Sequence, residues 1–76
     1  LNTKFKLDKK NNNLVELRKR INNIDLIENI YVQEFNNEYV LLKIKYLGKI
    51  DKIIDQLKEQ KILLSLTQDM WSLKVI

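Results

Sequence analysis

Some segments of this chain have an apolar residue at every second position, whereas others have apolar residues three and four positions apart. This change of period limits the possible folds of the chain more than any other feature. Apolar side chains at every second position are typical of a half-buried strand, whereas spacings of three and four are typical of one face of a helix. A chain that switches between both periods is expected to pack helices on a sheet. We therefore predict an α+β fold.

Three segments in the first two thirds of the chain have the period of a strand. Leu1 to Leu7 alternates throughout, and alternation returns from Ile30 to Phe35 and from about Glu38 to Tyr46. The pair Asn36-Asn37 separates the second and third segments, and asparagine accepts the positive φ angles that tight hairpin turns require. The second and third strands are therefore predicted to form a hairpin.

Two segments have the period of a helix. The first follows the polar loop Asp8 to Asn13, where Asn11, Asn12 and Asn13 offer a helix cap. Its apolar stripe consists of Leu14, Leu17, Ile21 and Ile24. The second helix follows the single glycine, Gly48, and runs to about Gln60, with a stripe that consists of Ile50, Ile53, Ile54 and Leu57.

The last fifteen residues contain two β-like pieces, 62–67 and 71–76, which Gln68-Asp69 separates. One long strand with a bulge would account for them, and so would a short extra strand followed by the final strand. Trp71 shares its phase with Leu73 and Val75, which predicts that its ring packs under the helices.

The order β, α, β, β, α, β predicts a ferredoxin-like two-layer sandwich. In this arrangement a four-stranded antiparallel sheet carries both helices on one face, and a short extra strand is possible near the C-terminus. We expect residues 1–76 to form one such domain, excised from a larger protein, because the chain begins at Leu1 without a signal segment.

The composition excludes several kinds of chemistry. The chain contains no cysteine and no histidine, so disulfides, thiolate nucleophiles, the usual zinc sites and imidazole catalysis are absent. A single glycine cannot form a glycine-rich phosphate loop, and Ser65 and Ser72 have no histidine to activate them. No apolar run approaches the roughly 18–20 residues of a transmembrane helix. We therefore predict a protein that is not an enzyme and holds neither metal nor cofactor.

The open face of the predicted sheet is the expected binding surface. Its predicted residues are Lys4, Lys6, Tyr31, Gln33, Phe35, Leu41, Lys43, Lys45, Ser72 and Lys74. The first hypothesis is a protein-interaction or scaffold module, a monomer or weak dimer, that binds another protein or another domain of its parent chain. Its contacts would be Tyr31, Phe35, Leu41 and an edge strand near Leu64 to Thr67.

Nucleic-acid binding is the alternative, because the net charge is +4 and the open face alternates lysines with aromatic rings. Single-stranded RNA would contact Lys4, Lys6, Lys43, Lys45 and Lys74, joined by Arg18 and Arg20. Against this, the third strand lacks the aromatic signature of RNA-recognition motifs. The same lysines would also serve simply to keep an exposed sheet face hydrated and to discourage strand pairing.

Short hydrophobic and turn motifs from Leu14 to Ile76 resemble the C-terminal domain of an uncharacterised family of exported proteobacterial proteins. The motifs lie at residues 14–17, 27–30, 45–48, 53–57, 64–66 and 71–73. The resemblance implies an accessory domain of unknown function in a larger protein of the periplasm or cell envelope. It implies no activity, cofactor or site residue.

Overall fold

The computed structural model describes residues 1–8, 10 and 12–76, and it combines two helices with five strands. In chain order the elements are β1 (Asn2–Lys6), α1 (Asn13–Ile21), β2 (Ile27–Phe35), β3 (Tyr39–Tyr46), α2 (Ile50–Glu59), β4 (Ile62–Thr67) and β5 (Met70–Val75). The predicted α+β class is confirmed.

One face of the sheet is buried, as the alternation predicts. In β1 the side chains of Thr3 and Phe5 are buried, while the lysines between and after them are exposed. In β3 the buried side chains are those of Val40, Leu42 and Ile44. Antiparallel sheets commonly have one face buried in the core and one face exposed to solvent, and here the buried face packs against the helices.

Both helices contribute their predicted stripes to the core. Leu17 and Ile21 of α1 are buried, as is Ile24 just beyond the helix, and Leu14 packs against them. In α2 the buried residues are Ile53 and Leu57, and the other two residues of its stripe are half-buried.

The asparagines at the start of α1 act differently from the predicted cap. Asn12 occupies the cap position in a left-handed conformation, and its side chain makes no capping hydrogen bond. Asn13 instead links the loop to β1: its Oδ1 accepts from the Asp8 backbone N–H at 2.8 Å, and its Nδ2 donates to the Lys6 carbonyl at 3.0 Å. Asn11 lies outside the described residues.

The sheet differs from the predicted four antiparallel strands. Its order is β2-β3-β1-β5-β4, and β1 runs parallel to β5 while every other neighbouring pair is antiparallel. The four-stranded antiparallel sheet was wrong, whereas the alternative of an extra strand before the final one is confirmed, because the last fifteen residues form a hairpin of two six-residue strands. The second of these strands, β5, lies between β4 and β1, so the sheet becomes mixed.

The two hairpin turns of the sheet differ in backbone conformation, and the β4–β5 turn uses left-handed residues. Gln68 and Asp69 in the β4–β5 turn have φ angles of 50° and 65°, the pattern of a type I′ turn. The predicted β2–β3 turn is present, but neither Asn36 nor Asn37 has the positive φ angle that was expected; instead Asn36 Oδ1 accepts hydrogen bonds from the backbone N–H groups of Glu38 and Tyr39. Trp71, which follows the β4–β5 turn, is half-buried and packs against the core. Its predicted position on the helix side of the sheet is therefore confirmed.

The double substitution Gln68→Asn with Asp69→Gly is expected to stabilise the fold by about 1 kcal/mol, because Asn-Gly is the preferred pair for two left-handed residues. Urea unfolding measures the change. Asp55→Gly in α2 is the matched control and is expected to destabilise by about 1 kcal/mol, since glycine is unfavourable inside a helix. A loss of stability in the turn variant would show that this turn is not left-handed in solution.

Candidate interaction surfaces

The strand register brings eight of the ten predicted open-face residues together, namely Lys4, Lys6, Tyr31, Leu41, Lys43, Lys45, Ser72 and Lys74. Opposite residues of neighbouring strands share a face, and Lys4 lies opposite Leu41 while Tyr31 lies opposite Lys43. By the alternation within each strand, Lys6 and Lys45 join them. This open face is the side of the sheet away from both helices, and its lysines are exposed.

Tyr39 also belongs to the open face, although it is not among the residues predicted for that face. It lies opposite Lys6, and the ammonium Nζ of Lys4 stands 4.4 Å from the centroid of its ring. This geometry is a cation–π contact. The signal was present in the sequence, because Tyr39 is two residues before Leu41 and so shares its phase.

Acidic residues reach the open face only at its β2 edge, within the part of the chain that the structure describes. Glu34 lies opposite Leu41, and Glu28 Oε2 lies 3.5 Å from Lys45 Nζ. The Lys45 side chain is largely exposed and that of Glu28 is partly exposed, so solvent screens the pair and it contributes about 0–1 kcal/mol. Lys45 is therefore the lysine of this face that is partly neutralised.

Phe35 does not lie on the open face, and its predicted placement was wrong. The β2–β3 register shifts between Val32 and Glu34, so that Phe35 lies opposite the buried Val40 on the helix side. A bulge of this kind adds one residue to a strand and reverses the phase of everything after it. The sequence by itself predicts an unbroken alternation from Tyr31 to Phe35.

A second shift, between Ile27 and Asn29, completes the pattern of β2. With both bulges, the apolar residues of this strand all face the helix side, namely Ile27, Ile30, Val32 and Phe35. They line a groove of about 510 Å³ together with Leu14 and Arg18 of α1. Val32 is 63% exposed and Phe35 61% exposed, which is unusual for apolar side chains on the packed side of a sheet.

The groove follows from the widths of the two layers. Five strands spaced by about 4.8 Å make a sheet roughly 24 Å wide, and two helices of about 10 Å diameter cover roughly 20 Å. The second helix, α2, packs on β4 at one edge, and α1 contacts β5. The helix side of β2, at the other edge, is therefore left without a covering helix.

The two arginines of α1 do not belong to the basic open face. Both lie in the helix layer, and Arg18 lines the groove. Arg20 is held in place by Glu16 at 3.0 Å, and its Nη1 donates to the carbonyls of Lys61 and Ile76, each at 3.0 Å. Arg20 thus joins α1 to the start of β4 and the end of the described chain, and the structure does not bring the two arginines together with the lysines of the open face.

The predicted edge near Leu64 to Thr67 lies on β4, which is an edge strand of the sheet. Its register with β5 is regular, and it carries no charged residue. Leu66 is 58% exposed at this edge. The molecule therefore presents two different edges: β4 is regular and uncharged, whereas β2 is bulged and acidic.

Comparisons of the chain with protein-family models, with curated proteins and with solved structures found no significant match. The resemblance to an exported family stays a prediction. Among the described residues, no group of three or more aspartate, glutamate, histidine or cysteine side chains is placed to hold a metal ion. Neither helix is long and apolar enough to cross a membrane.

Phe35→Ala is expected to cost less than about 1 kcal/mol of stability, because most of this ring is already in water. Phe5→Ala, which removes the same side chain from a fully buried position of β1, is expected to cost about 3–5 kcal/mol. Urea unfolding of both variants gives the comparison. A loss of about 3 kcal/mol or more for Phe35→Ala would mean that the groove is closed in solution and that Phe35 belongs to the core.

Proposed function

We propose that this chain is a non-catalytic protein-interaction module whose groove between α1 and β2 binds an amphipathic helix of a partner protein. One observation carries the proposal. Both bulges of β2 turn its apolar side chains toward the helix layer, yet Val32 and Phe35 remain mostly exposed there. The domain's own core leaves these two side chains largely uncovered.

Covering these side chains would stabilise a complex. Full burial of a valine or phenylalanine side chain contributes about 1.5–3 kcal/mol, so the exposed parts of Val32 and Phe35 together offer roughly 3 kcal/mol. Apolar anchors in a pocket are the usual centre of a protein interface, and the surrounding contacts mainly exclude water. Phe35 is the strongest candidate for such an anchor, because it is the largest exposed apolar side chain of the groove.

A helix fits this groove better than a strand. Bulges interrupt the regular row of N–H and C=O groups that an added strand would need, and they are a common protection of edge strands. A helix requires no backbone groups from its partner and would complete the helix layer beside α1. The walls carry opposite charges, Arg18 on α1 and Glu28 on β2. We expect a partner helix with acidic residues toward α1 and basic residues toward β2.

The partner in this proposal is another protein or another domain of the same parent chain. The cell-envelope setting that the resemblance implies is compatible with either, and it stays a prediction.

Selection from a library of random displayed peptides tests the proposal. The 76-residue chain is immobilised, and enriched peptides are compared on wild type and on the double variant Val32→Asp with Phe35→Asp. We expect enriched sequences with apolar residues at i, i+3, i+4 and i+7, and affinity at least about tenfold lower on the variant, because two carboxylates would be buried in an apolar contact.

The matched control is Leu63→Asp with Leu66→Asp, which adds the same charge to exposed leucines of the opposite edge strand. Peptides that bind the groove should retain their affinity for this variant. Extended peptides that lose affinity for the Leu63/Leu66 variant and not for the Val32/Phe35 variant would contradict the proposal and would place the interaction at β4.

A further inference from the structure

We infer that the open face of the sheet binds single-stranded nucleic acid, at a site separate from the groove. Five lysines lie on this face, namely Lys4, Lys6, Lys43, Lys45 and Lys74, and Tyr31 and Tyr39 stand among them. The inference does not depend on the proposed function, because the two surfaces lie on opposite sides of the sheet.

The charge on this face has one sign over most of its area. On the open side of β1, β3 and β5, the described residues include no acidic side chain; the acidic residues Glu28 and Glu34 lie on the β2 edge. Both exposed helix surfaces, by contrast, mix the two signs, as Asp51, Lys52 and Asp55 of α2 illustrate. Much of the net charge of +4 is therefore concentrated on one face.

The lysines are not in the positions where they would block edge pairing. Lysine protects a sheet when it lies on an edge strand, but neither edge strand of this sheet, β2 or β4, contains a lysine. Four of the five lysines belong to β1 and β3, which are interior strands paired on both sides. Their location therefore favours a bound anion over protection of an edge.

The spacing of the lysines suits an extended polyanion. Lys4 and Lys6 lie two residues apart on β1, as do Lys43 and Lys45 on β3, which corresponds to about 7 Å along each strand. No described lysine of this face lies directly opposite another across the β1–β3 pair, since the partners are Leu41 for Lys4, Tyr39 for Lys6 and Asn2 for Lys43. The positive groups are thus distributed over the face and not stacked.

The tyrosines distinguish nucleic acid from other polyanions. Tyr31 is 46% exposed, and its hydroxyl oxygen accepts a hydrogen bond from Asn29 Nδ2 at 3.1 Å. Tyr39 is half-buried, and the Lys4 ammonium lies over one face of its ring. Exposed rings on a basic surface provide stacking platforms for unpaired bases, and the bases of a single strand are free to stack. A face roughly 24 Å wide has room for about four nucleotides.

The test is a titration of the isotope-labelled 76-residue chain with a mixed-sequence single-stranded RNA of about eight nucleotides, followed by NMR at several salt concentrations. We expect amide shifts on β1 and β3 that fade as salt rises. In a parallel fluorescence anisotropy titration, Lys4→Gln with Lys43→Gln should reduce the salt slope by about 0.7 for each phosphate that is no longer neutralised. The matched control, Lys52→Gln with Lys58→Gln on exposed positions of α2, should leave affinity unchanged.

Tyr39→Leu tests stacking, because it removes the ring and keeps an apolar side chain. We expect RNA affinity to fall about tenfold while affinity for inorganic polyphosphate, which has charge but no bases, stays the same. Absence of shifts at low salt would overturn the inference, and so would shifts confined to the helix layer. Equal binding of polyphosphate and RNA, together with no effect of Tyr39→Leu, would also overturn it and identify a general polyanion surface.

The groove variant Val32→Asp with Phe35→Asp separates this inference from the proposed function. It should leave shifts on β1 and β3 intact, whereas it should abolish binding of groove peptides. If RNA titration fails and peptide selection succeeds, only the inference about the open face is wrong.

Discussion

The first strand holds the structure together, because it is paired on both sides in the middle of the sheet. It runs antiparallel to β3 and parallel to β5, and so it connects the early hairpin to the late one. Phe5 is buried at its centre, and the Thr3 hydroxyl donates to the Leu42 carbonyl at 3.2 Å. The backbone nitrogen of Leu1 also donates to the Ile44 carbonyl at 3.0 Å. Without β1, neither hairpin would have a complete sheet to pack against the helices.

The insertion of β5 next to β1 widens the sheet, and both candidate surfaces depend on that width. Two helices cannot cover five strands, and α2 packs on β4, so the strand left uncovered is β2. The same widening extends the basic open face by one strand, which contributes Lys74. The molecule thus has an apolar groove on one side of the sheet and a positively charged surface on the other. Apart from Glu28 and Asn29 at the bulged β2 edge, the two surfaces share no side chain, since alternate residues of each strand point to opposite faces.

Much of the fold could be predicted from sequence, because apolar periodicity reports directly on which side of an element is buried. The alternation of β1 and β3, both helical stripes and the side of Trp71 were all correct. Most of the basic face was predicted for the same reason. Tyr39 could have been predicted with them, since it continues the alternation of β3 toward its start.

The errors have a common cause, which is that register is a property of two strands and not of one. The sequence of β2 reads as a regular alternation, and only pairing with β3 introduces the two shifts that move Phe35 to the helix side. In the same way, residues 62–76 by themselves allowed either one bulged strand or two strands. In the structure the chain turns back at Gln68, which is left-handed, and the two pieces form a hairpin. Glutamine has no special preference for this conformation, so the residue type did not indicate the turn.

By itself, then, the sequence determined whether most elements are helices or strands and which face of each is buried. It also determined the lack of cysteine and histidine chemistry and the concentration of lysine in β1 and β3. Tertiary structure alone decided the strand order, the parallel pairing of β1 with β5, the side on which Phe35 lies and the groove beside α1. The physical reason is that burial of a periodic face is a local energy that each segment carries in its own residues, whereas strand neighbours, bulges and layer widths depend on contacts between residues far apart in the chain.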